Sequence, residues 1–366
     1  MSTNADNAIK YGVLSVAAYG ENVAPLGWEL LLPALNDSNT GFSARAFRNV
    51  LTGEVVVSYR GSDDRKDWTG SNVDLFFQQK PETLQLAVKF YNEVKDTFGG
   101  TPIVTGHSLG GALAQLVAAL ESTTGYAFNA PGVLSILKRF EGHENDTAAQ
   151  YSGSITNFNM QIEVVSGFAT QLGKTINFDP SAADGLRILV GIAAFFVNPL
   201  AGIALTANNL VNQHFMDSLL TAFTTAQPTN LINGWNYDAQ TQGWYQQVPE
   251  GGTTWAVGSQ AAQLTALRIE RLDFNSVRES SQLQLNQYKG YNAVVGQLRA
   301  DLGADVQVKY SPAMGKWVLL TNSTSGEVAG RLHVYDDGSV LIVTDTKSYS
   351  VGTDASLLQN VLLTSP

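Results

Sequence analysis

The chain has 366 residues, 44% of them hydrophobic and 15% charged, which suits a folded protein with a large core and excludes a mostly disordered one. Its net charge of −10 disfavours nucleic-acid partners and gives no general attraction to anionic membranes. With no cysteine, disulfide frameworks, thiolate zinc sites and cysteine nucleophiles are excluded. The length exceeds one ordinary domain, so a core domain with an appended module is expected. Residues Met1 to Asn7 lack a basic stretch followed by an apolar one, so no cleavable signal peptide is expected. Export would then use a leaderless route, with a cytoplasmic location as the alternative.

In chain order, Ala8 to Tyr19 carries helical spacing in Ile9, Val13, Leu14, Ala17 and Ala18. Phe42 to Phe47 and Glu54 to Arg60 read as strands separated by Leu51-Thr52-Gly53. Pro81 opens a helix through Phe98, with Leu84, Ala87, Val88, Tyr91, Val94 and Phe98 on one face, and Gly99-Gly100 closes it. Ile103-Val104 reads as a buried strand, and the small-residue run Gly111 to Leu120 as a helix able to pack close to a sheet. Strands follow around Tyr126 to Phe128 and from Ile155 to Met160. Strands alternating with helices predict an α/β fold, a mainly parallel sheet with helices on both faces.

The segment Ile188 to Leu205 carries no charge and contains Asn198-Pro199. It is open to three readings: two short buried helices, a lid or lipid-contacting hairpin around Phe195 and Phe196, or a membrane span of about 20 residues. An Asn-Pro pair disfavours the last. Residues 228 to 260, rich in Gly, Asn, Gln, Trp and Tyr, read as a long irregular connection, and Ser280 to Leu302 as helical. From Val306 the chain reads as a β-meander: Val306–Tyr310, Trp317–Thr321, Arg331–Tyr335 and Val340–Thr344, with a turn at Asp336-Asp337-Gly338. The expected organisation is a catalytic domain over 1–227 with an apolar helical insertion at 185–206, a connecting and helical segment over 228–302, and a β-rich C-terminal module over 303–366.

The chemistry centres on Gly106-His107-Ser108-Leu109-Gly110. A serine hydroxyl is a weak nucleophile, so catalysis needs it lifted onto a sharp strand-to-helix turn beside a base and backbone N–H donors. The G-x-S-x-G pattern does this, its glycines letting strand and helix cross closely. Its base must be one of four histidines, His107, His143, His214 and His333. His107 adjoins the serine and points away from it; His143 leaves little room for an acid in the order Ser, Asp or Glu, His. His333 lies within the meander. His214 therefore leads as the general base. No cluster has metal-ligand spacing, and neither a metal nor another cofactor is required.

Val104 to Ala114 resembles the nucleophile region of class 3 lipases, the fungal-lipase-like branch of the α/β-hydrolases. Val55 to Ser62, followed by Asp67-Trp68, is similar to that family's strand and oxyanion loop. The resemblance covers roughly residues 8 to 225. It implies an α/β-hydrolase core and acyl-ester hydrolysis through an acyl-enzyme, with lipid at a membrane or micelle surface as substrate. Val211 to Asp217 is similar to the family's histidine segment. Ile155 to Ser166 has the form of its acid loop, with Glu163 where aspartate is usual and Asp179 or Asp184 as alternatives. The oxyanion donors it implies are the N–H groups of Leu109 and Ser62. Asp63 to Trp68 occupies the family's lid position, so Trp68 is either a lid contact or docked on the core. Bacterial relatives with leaderless N-termini include secreted phospholipases A1, which favours phospholipid over triacylglycerol. Three alternatives stay open: a triacylglycerol lipase, a soluble esterase or thioesterase, and a non-catalytic lipid- or partner-binding protein. A cognate accessory or inhibitory protein is a further expected partner.

Overall fold

The computed structural model describes residues 4–19, 24–25, 27–32, 34–49, 52–61, 77–78, 80–160, 165–167, 169–178, 216–224, 231–232, 235–248, 252–276 and 285, and the six C-terminal strands between 306 and 361. Helix α1 is Asn4–Ala17, followed by strands β1 Trp28–Leu30, β2 Leu35–Asp37, β3 Phe42–Asn49 and β4 Val55–Tyr59. Next come α2 Pro81–Phe98, β5 Ile103–His107, α3 Leu109–Leu120, β6 Gly125–Phe128, the short α4 Leu134–Leu137, β7 Ile155–Met160 and β8 Lys174–Phe178. These eight strands form one sheet in the order β1-β3-β4-β5-β6-β7-β8, with β2 also on β3. Strands β1, β2 and β4 pair β3 antiparallel, while β4, β5 and β6 run parallel. The result is an α/β architecture, a mixed sheet whose parallel part is joined by crossover helices.

Two compact units arise from the chain's contacts: residues 10–157, 164–175 and 283–366, and residues 1–9, 158–163 and 176–282. In the larger unit the period-2 alternation of β4 assigns its helices to opposite faces. Ser58 Oγ donates to the Leu14 carbonyl of α1 at 3.0 Å, whereas the next residue, Tyr59, donates through Oη to the Ala87 carbonyl of α2 at 3.1 Å. Ser15 of α1 and Thr105 of β5 add a buried hydroxyl pair at 2.8 Å. The α2 face of the sheet carries the main core, with Val57, Tyr59, Phe90, Tyr91, Val104, Leu113 and Val117 all buried.

Helix α2 spans the predicted residues. Pro81 occupies its first turn with Glu82, Lys95 its last turn, and Gly99 leaves it at φ 74° with its N–H on the Lys95 carbonyl. These are the end signals the helix dipole and a C-terminal glycine favour. Helix α3 has no solvent-facing side over this stretch: every residue from Leu109 to Ala119 is buried, and its small side chains let it pack closely on β4, β5 and β6 while α2 covers another side.

After four intervening strands, the C-terminal strands are β13 Val306–Tyr310, β14 Trp317–Asn322, β15 Val328–Val334, β16 Val340–Val343, β17 Ser348–Val351 and β18 Leu358–Val361. Each pairs antiparallel with the next, as a meander requires. Two strands extend it beyond the predicted four.

The smaller unit departs from the sequence expectation. Instead of an irregular connection over 228–260, it contains β9 Leu231–Ile232, β10 Trp235–Asp238, β11 Gly243–Gln247 and β12 Thr253–Trp255 in one antiparallel sheet, then α6 Gly258–Ser276. Helix α5, Met216–Thr224, precedes them. Asp238 organises the β10–β11 turn, accepting from the Gln240 N–H at 2.9 Å and the Thr241 hydroxyl at 2.7 Å, an Asx-type turn that substitutes for a glycine pair. Trp244 is fully buried against Leu264 of α6 and donates its indole N–H to Thr265 Oγ1 at 3.2 Å. Phe158, Phe178, Phe223 and Phe274 form a second, aromatic cluster, with Phe178 edge-on to Phe223 and Phe274 at 4.9 and 5.0 Å. The apolar segment Ile188 to Leu205 and nearly all of the helix expected over Ser280 to Leu302 lie outside the described residues. Among the described residues no helix is long and apolar enough to cross a membrane.

Candidate active site

Parallel strand β5 ends at His107, and α3 begins at Leu109, leaving Ser108 alone to reverse the chain direction. Its backbone sits at φ 59°, ψ −126°, a positive-φ state that costs a non-glycine residue on the order of 1–3 kcal/mol and persists only when its surroundings over-determine it. They do so here. The Ser108 N–H donates to the Phe128 carbonyl at 2.9 Å, and its carbonyl accepts from Gly111 and Ala112 at 2.9 and 3.1 Å. Both peptide groups of the serine are therefore tied, one to the neighbouring strand and one to the helix it starts.

The two glycines flanking the turn are required by space. A Cβ on Gly106 would lie 2.3 Å from the Gly110 carbonyl group, and one on Gly110 would lie 2.0 Å from the Tyr59 carbonyl oxygen. Only hydrogen fits at either position, which is how strand and helix come close enough to make so sharp a bend.

Leu109 is the first residue of α3. The opening N–H groups of a helix have no partner within it and carry the positive end of its dipole. A tetrahedral oxyanion on a carbonyl attacked by Ser108 Oγ would meet such a donor. Ser108 and Leu109 are both buried.

His107 does not serve Ser108 as base. Its ring Nδ1 lies 2.9 Å from Tyr19 Oη, and the same Tyr19 oxygen accepts the Gly61 N–H at 3.0 Å. The adjoining position in the strand sends the ring to the neighbouring face, as alternation demands.

His143 is also committed elsewhere. Its Nδ1 is 2.7 Å from Asp146 Oδ2, and the Tyr151 hydroxyl donates to the same carboxylate oxygen. The Tyr151 hydroxyl first, then His143, hold the Asp146 carboxyl down from 3.8 to about 2. Burial first, then the bond to Asp146, pushes the Tyr151 phenol up to about 12. The cluster lies on the connection that ends at Ser154, whose carbonyl accepts from Gly125 at the start of β6. Ser108 stands beyond the C-terminal end of β5, so this His–Asp–Tyr group belongs to a connection at the opposite, N-terminal end of the parallel strands.

One buried polar side chain near the turn gave no sequence signal. Gln115, in the middle of α3, donates through Nε2 to the Pro131 carbonyl at 3.0 Å and accepts the Leu172 N–H at 2.9 Å through Oε1. It thereby fastens the segments that follow β6 and precede β8. Gln171 Nε2 adds a bond to the Ala130 carbonyl at 2.6 Å.

Of the residues singled out in the sequence, Ser108 and Leu109 are placed by the structure. His214, Glu163, Ser62, Trp68, Phe195 and Phe196, together with the alternative acids Asp179 and Asp184, lie outside the described residues. Among the described residues no group of acidic or histidine side chains could hold a metal ion.

Residues 11–206 match the family described as Phospholipase-like, Tle-like phospholipase domain. The chain is 32% identical over 132 residues to an extracellular phospholipase A1 of Serratia liquefaciens, a match covering 36% of this chain and 39% of that protein. The chain thus spans about two fifths of that relative's length. Among solved structures, Lip2 lipase from Yarrowia lipolytica shares 17% identity over 48% of this chain and 78% of its own, with a TM-score of 0.36. Rhizomucor miehei lipase shares 14% identity over 50% of this chain and 70% of its own, with a TM-score of 0.34.

Proposed function

The chain belongs to the Tle-like phospholipase domain family, and from that premise we propose that it is a serine carboxylic-ester hydrolase cleaving acyl esters of phospholipids through an acyl-enzyme. The observation that carries the proposal is the forced backbone of Ser108, held at positive φ between β5 and α3 with a helix-initiating N–H next in the chain. A structural serine in a turn needs none of this arrangement; a nucleophile that must stand clear of strand and helix does.

In this reading Ser108 Oγ attacks the ester carbonyl while His214 takes its proton, with Glu163 fixing the imidazole tautomer and balancing its charge. The N–H groups of Leu109 and Ser62 receive the oxyanion. His214 returns the proton to the departing lysophospholipid alkoxide, and water activated by the same histidine then hydrolyses the acyl-serine. The serine proton thus departs on the lysophospholipid hydroxyl, and the deacylating water restores one to Ser108 through His214 as the fatty acid leaves. Trp68, Phe195 and Phe196 are assigned to the lipid-facing side. Residues 1–227 form the catalytic domain in this scheme, and residues 303–366 a C-terminal module.

Phospholipid is preferred over triacylglycerol because the family and the Serratia relative are both described as phospholipases. That relative is also described as extracellular, which supports secretion here. The test is hydrolysis of phosphatidylcholine vesicles and of trioleoyl glycerol emulsions by the whole chain and by Ser108→Ala. Loss of acyl release in the variant, with release at the sn-1 position from phosphatidylcholine in the parent, is expected. Undiminished release by Ser108→Ala would overturn the mechanism.

A further inference from the structure

Strand β4 runs parallel to β5 with Tyr59 in register with Gly106. The residues leaving β4 therefore travel beside the residues leaving β5, and Gly61 arrives beside the nucleophile turn. A Cβ on Gly61 would lie 3.1 Å from Ser108 Cβ, 2.8 Å from the His107 carbonyl oxygen and 2.3 Å from Tyr19 Oη. The contact with the serine is thus made by bare backbone, and one hydroxyl fills the remaining space.

That hydroxyl makes two bonds that fix each other's direction. The Gly61 N–H can only donate, so Tyr19 Oη accepts it at 3.0 Å. The phenol's single proton is then available for His107 Nδ1, 2.9 Å away. A neutral imidazole accepting at Nδ1 carries its own proton on Nε2. The chain of donors runs from Gly61 N–H to Tyr19 to His107, and His107 is covalently adjacent to Ser108. The end of β4 and the nucleophile turn are therefore joined through one phenolic oxygen contributed by the stretch after α1.

We propose that Tyr19 is a positioning residue for acyl transfer, its hydroxyl setting the separation between the end of β4 and the Ser108 turn. The proposal rests on the serine-hydrolase reading above. Residue 62 follows Gly61 directly, so the peptide that Tyr19 holds precedes the one assigned to the oxyanion. Oxyanion donors act through geometry fixed before reaction, and a displacement of about 1 Å can cost about 100-fold in rate. His107 acts in the same unit as the acceptor that orients the phenol.

The experiment measures kcat and KM for a water-soluble p-nitrophenyl butyrate ester, with thermal midpoints, for the whole chain and its variants. Tyr19→Phe is expected to lower kcat about 10- to 100-fold with KM unchanged. His107→Gln, which keeps an acceptor, should retain more of kcat than His107→Leu, which does not. The double variant Tyr19→Phe/His107→Leu should be no slower than Tyr19→Phe alone, because the two side chains act as one unit. The histidine pair carries the same test if Tyr19→Phe fails to fold. Wild-type kcat in Tyr19→Phe, or equal rates in His107→Gln and His107→Leu, while Ser108→Ala is inactive, would overturn this proposal and leave the hydrolase reading standing. Full turnover in Ser108→Ala would overturn both.

Discussion

The Tyr59 carbonyl oxygen and the Cα of Gly110 are in such close approach that a methyl group on the glycine would stand 2.0 Å from the oxygen. Tyr59 ends β4 and Gly110 lies in the first turn of α3, so this contact sets how near α3 comes to the central strands. The neighbour is backbone and cannot rotate away. Gly110→Ala is expected to destabilise the fold by about 3 kcal/mol through overpacking, read as a lower midpoint in urea unfolding with an unchanged slope.

Gln115 holds two segments from inside α3, and removing its amide leaves the Leu172 N–H and the Pro131 carbonyl without these partners. Gln115→Met keeps the side-chain volume and helix propensity while deleting the bonds. Each buried group left unpaired costs about 1–3 kcal/mol, so a loss of about 2–4 kcal/mol is expected by denaturant unfolding. Hydrolysis at low temperature, where the variant stays folded, separates stability from catalysis.

The Asp146 carboxyl is held from 3.8 down to about 2 by Tyr151 first and His143 second. A depressed carboxyl stabilises the native state above its unfolded value, and that contribution disappears as pH falls through the native one. The expected window is therefore from about pH 4 to about pH 2. Melting midpoints of the wild type and Asp146→Asn should differ at neutral pH and converge across that window. A difference that stays constant down to pH 2 would contradict the assignment.

The sequence made the larger unit readable because its signals are local. Pro81 and Gly99 mark the ends of α2, and the glycines around Ser108 announce a turn whose geometry follows from steric exclusion alone. Residues 228–260 of the smaller unit were read wrongly. Trp235 to Asp238 and Gly243 to Gln247 are too short and too polar to stand out as strands, and the turn between them uses Asp238 with Thr241 in place of a glycine pair. Helix α6 buries Leu264 and Phe274 yet leaves Ile269 and Leu272 exposed, which blurs its apolar stripe. Gln115 could not be found because a glutamine in a helix looks solvent-exposed until the loops that cover it are known.

Trp244 is the largest fully buried side chain among the described residues and joins β11 to α6. Trp244→Ala should cost about 3–5 kcal/mol, detectable as an early unfolding transition in the smaller unit. Trp244→Phe, which fills most of the volume but loses the bond to Thr265, should recover most of that loss.

Glu163→Gln is expected to lower kcat by about 10⁴-fold, as loss of the orienting acid does in a Ser–His–acid triad. His214→Ala should do at least as much damage. Asp179→Asn and Asp184→Asn should leave the rate near wild type; a collapse in either, with an active Glu163→Gln, would transfer the acid's role.

The pinned peptide groups of residue 108 have an engineering corollary. Because main-chain bonds rather than side-chain contacts dictate where that Cβ points, a cysteine introduced there should present sulfur along the same vector that now carries oxygen. Ser108→Cys then becomes a way to install a thiol-reactive probe or a tethered acyl analogue at the proposed nucleophile position while the rest of the protein stays unaltered.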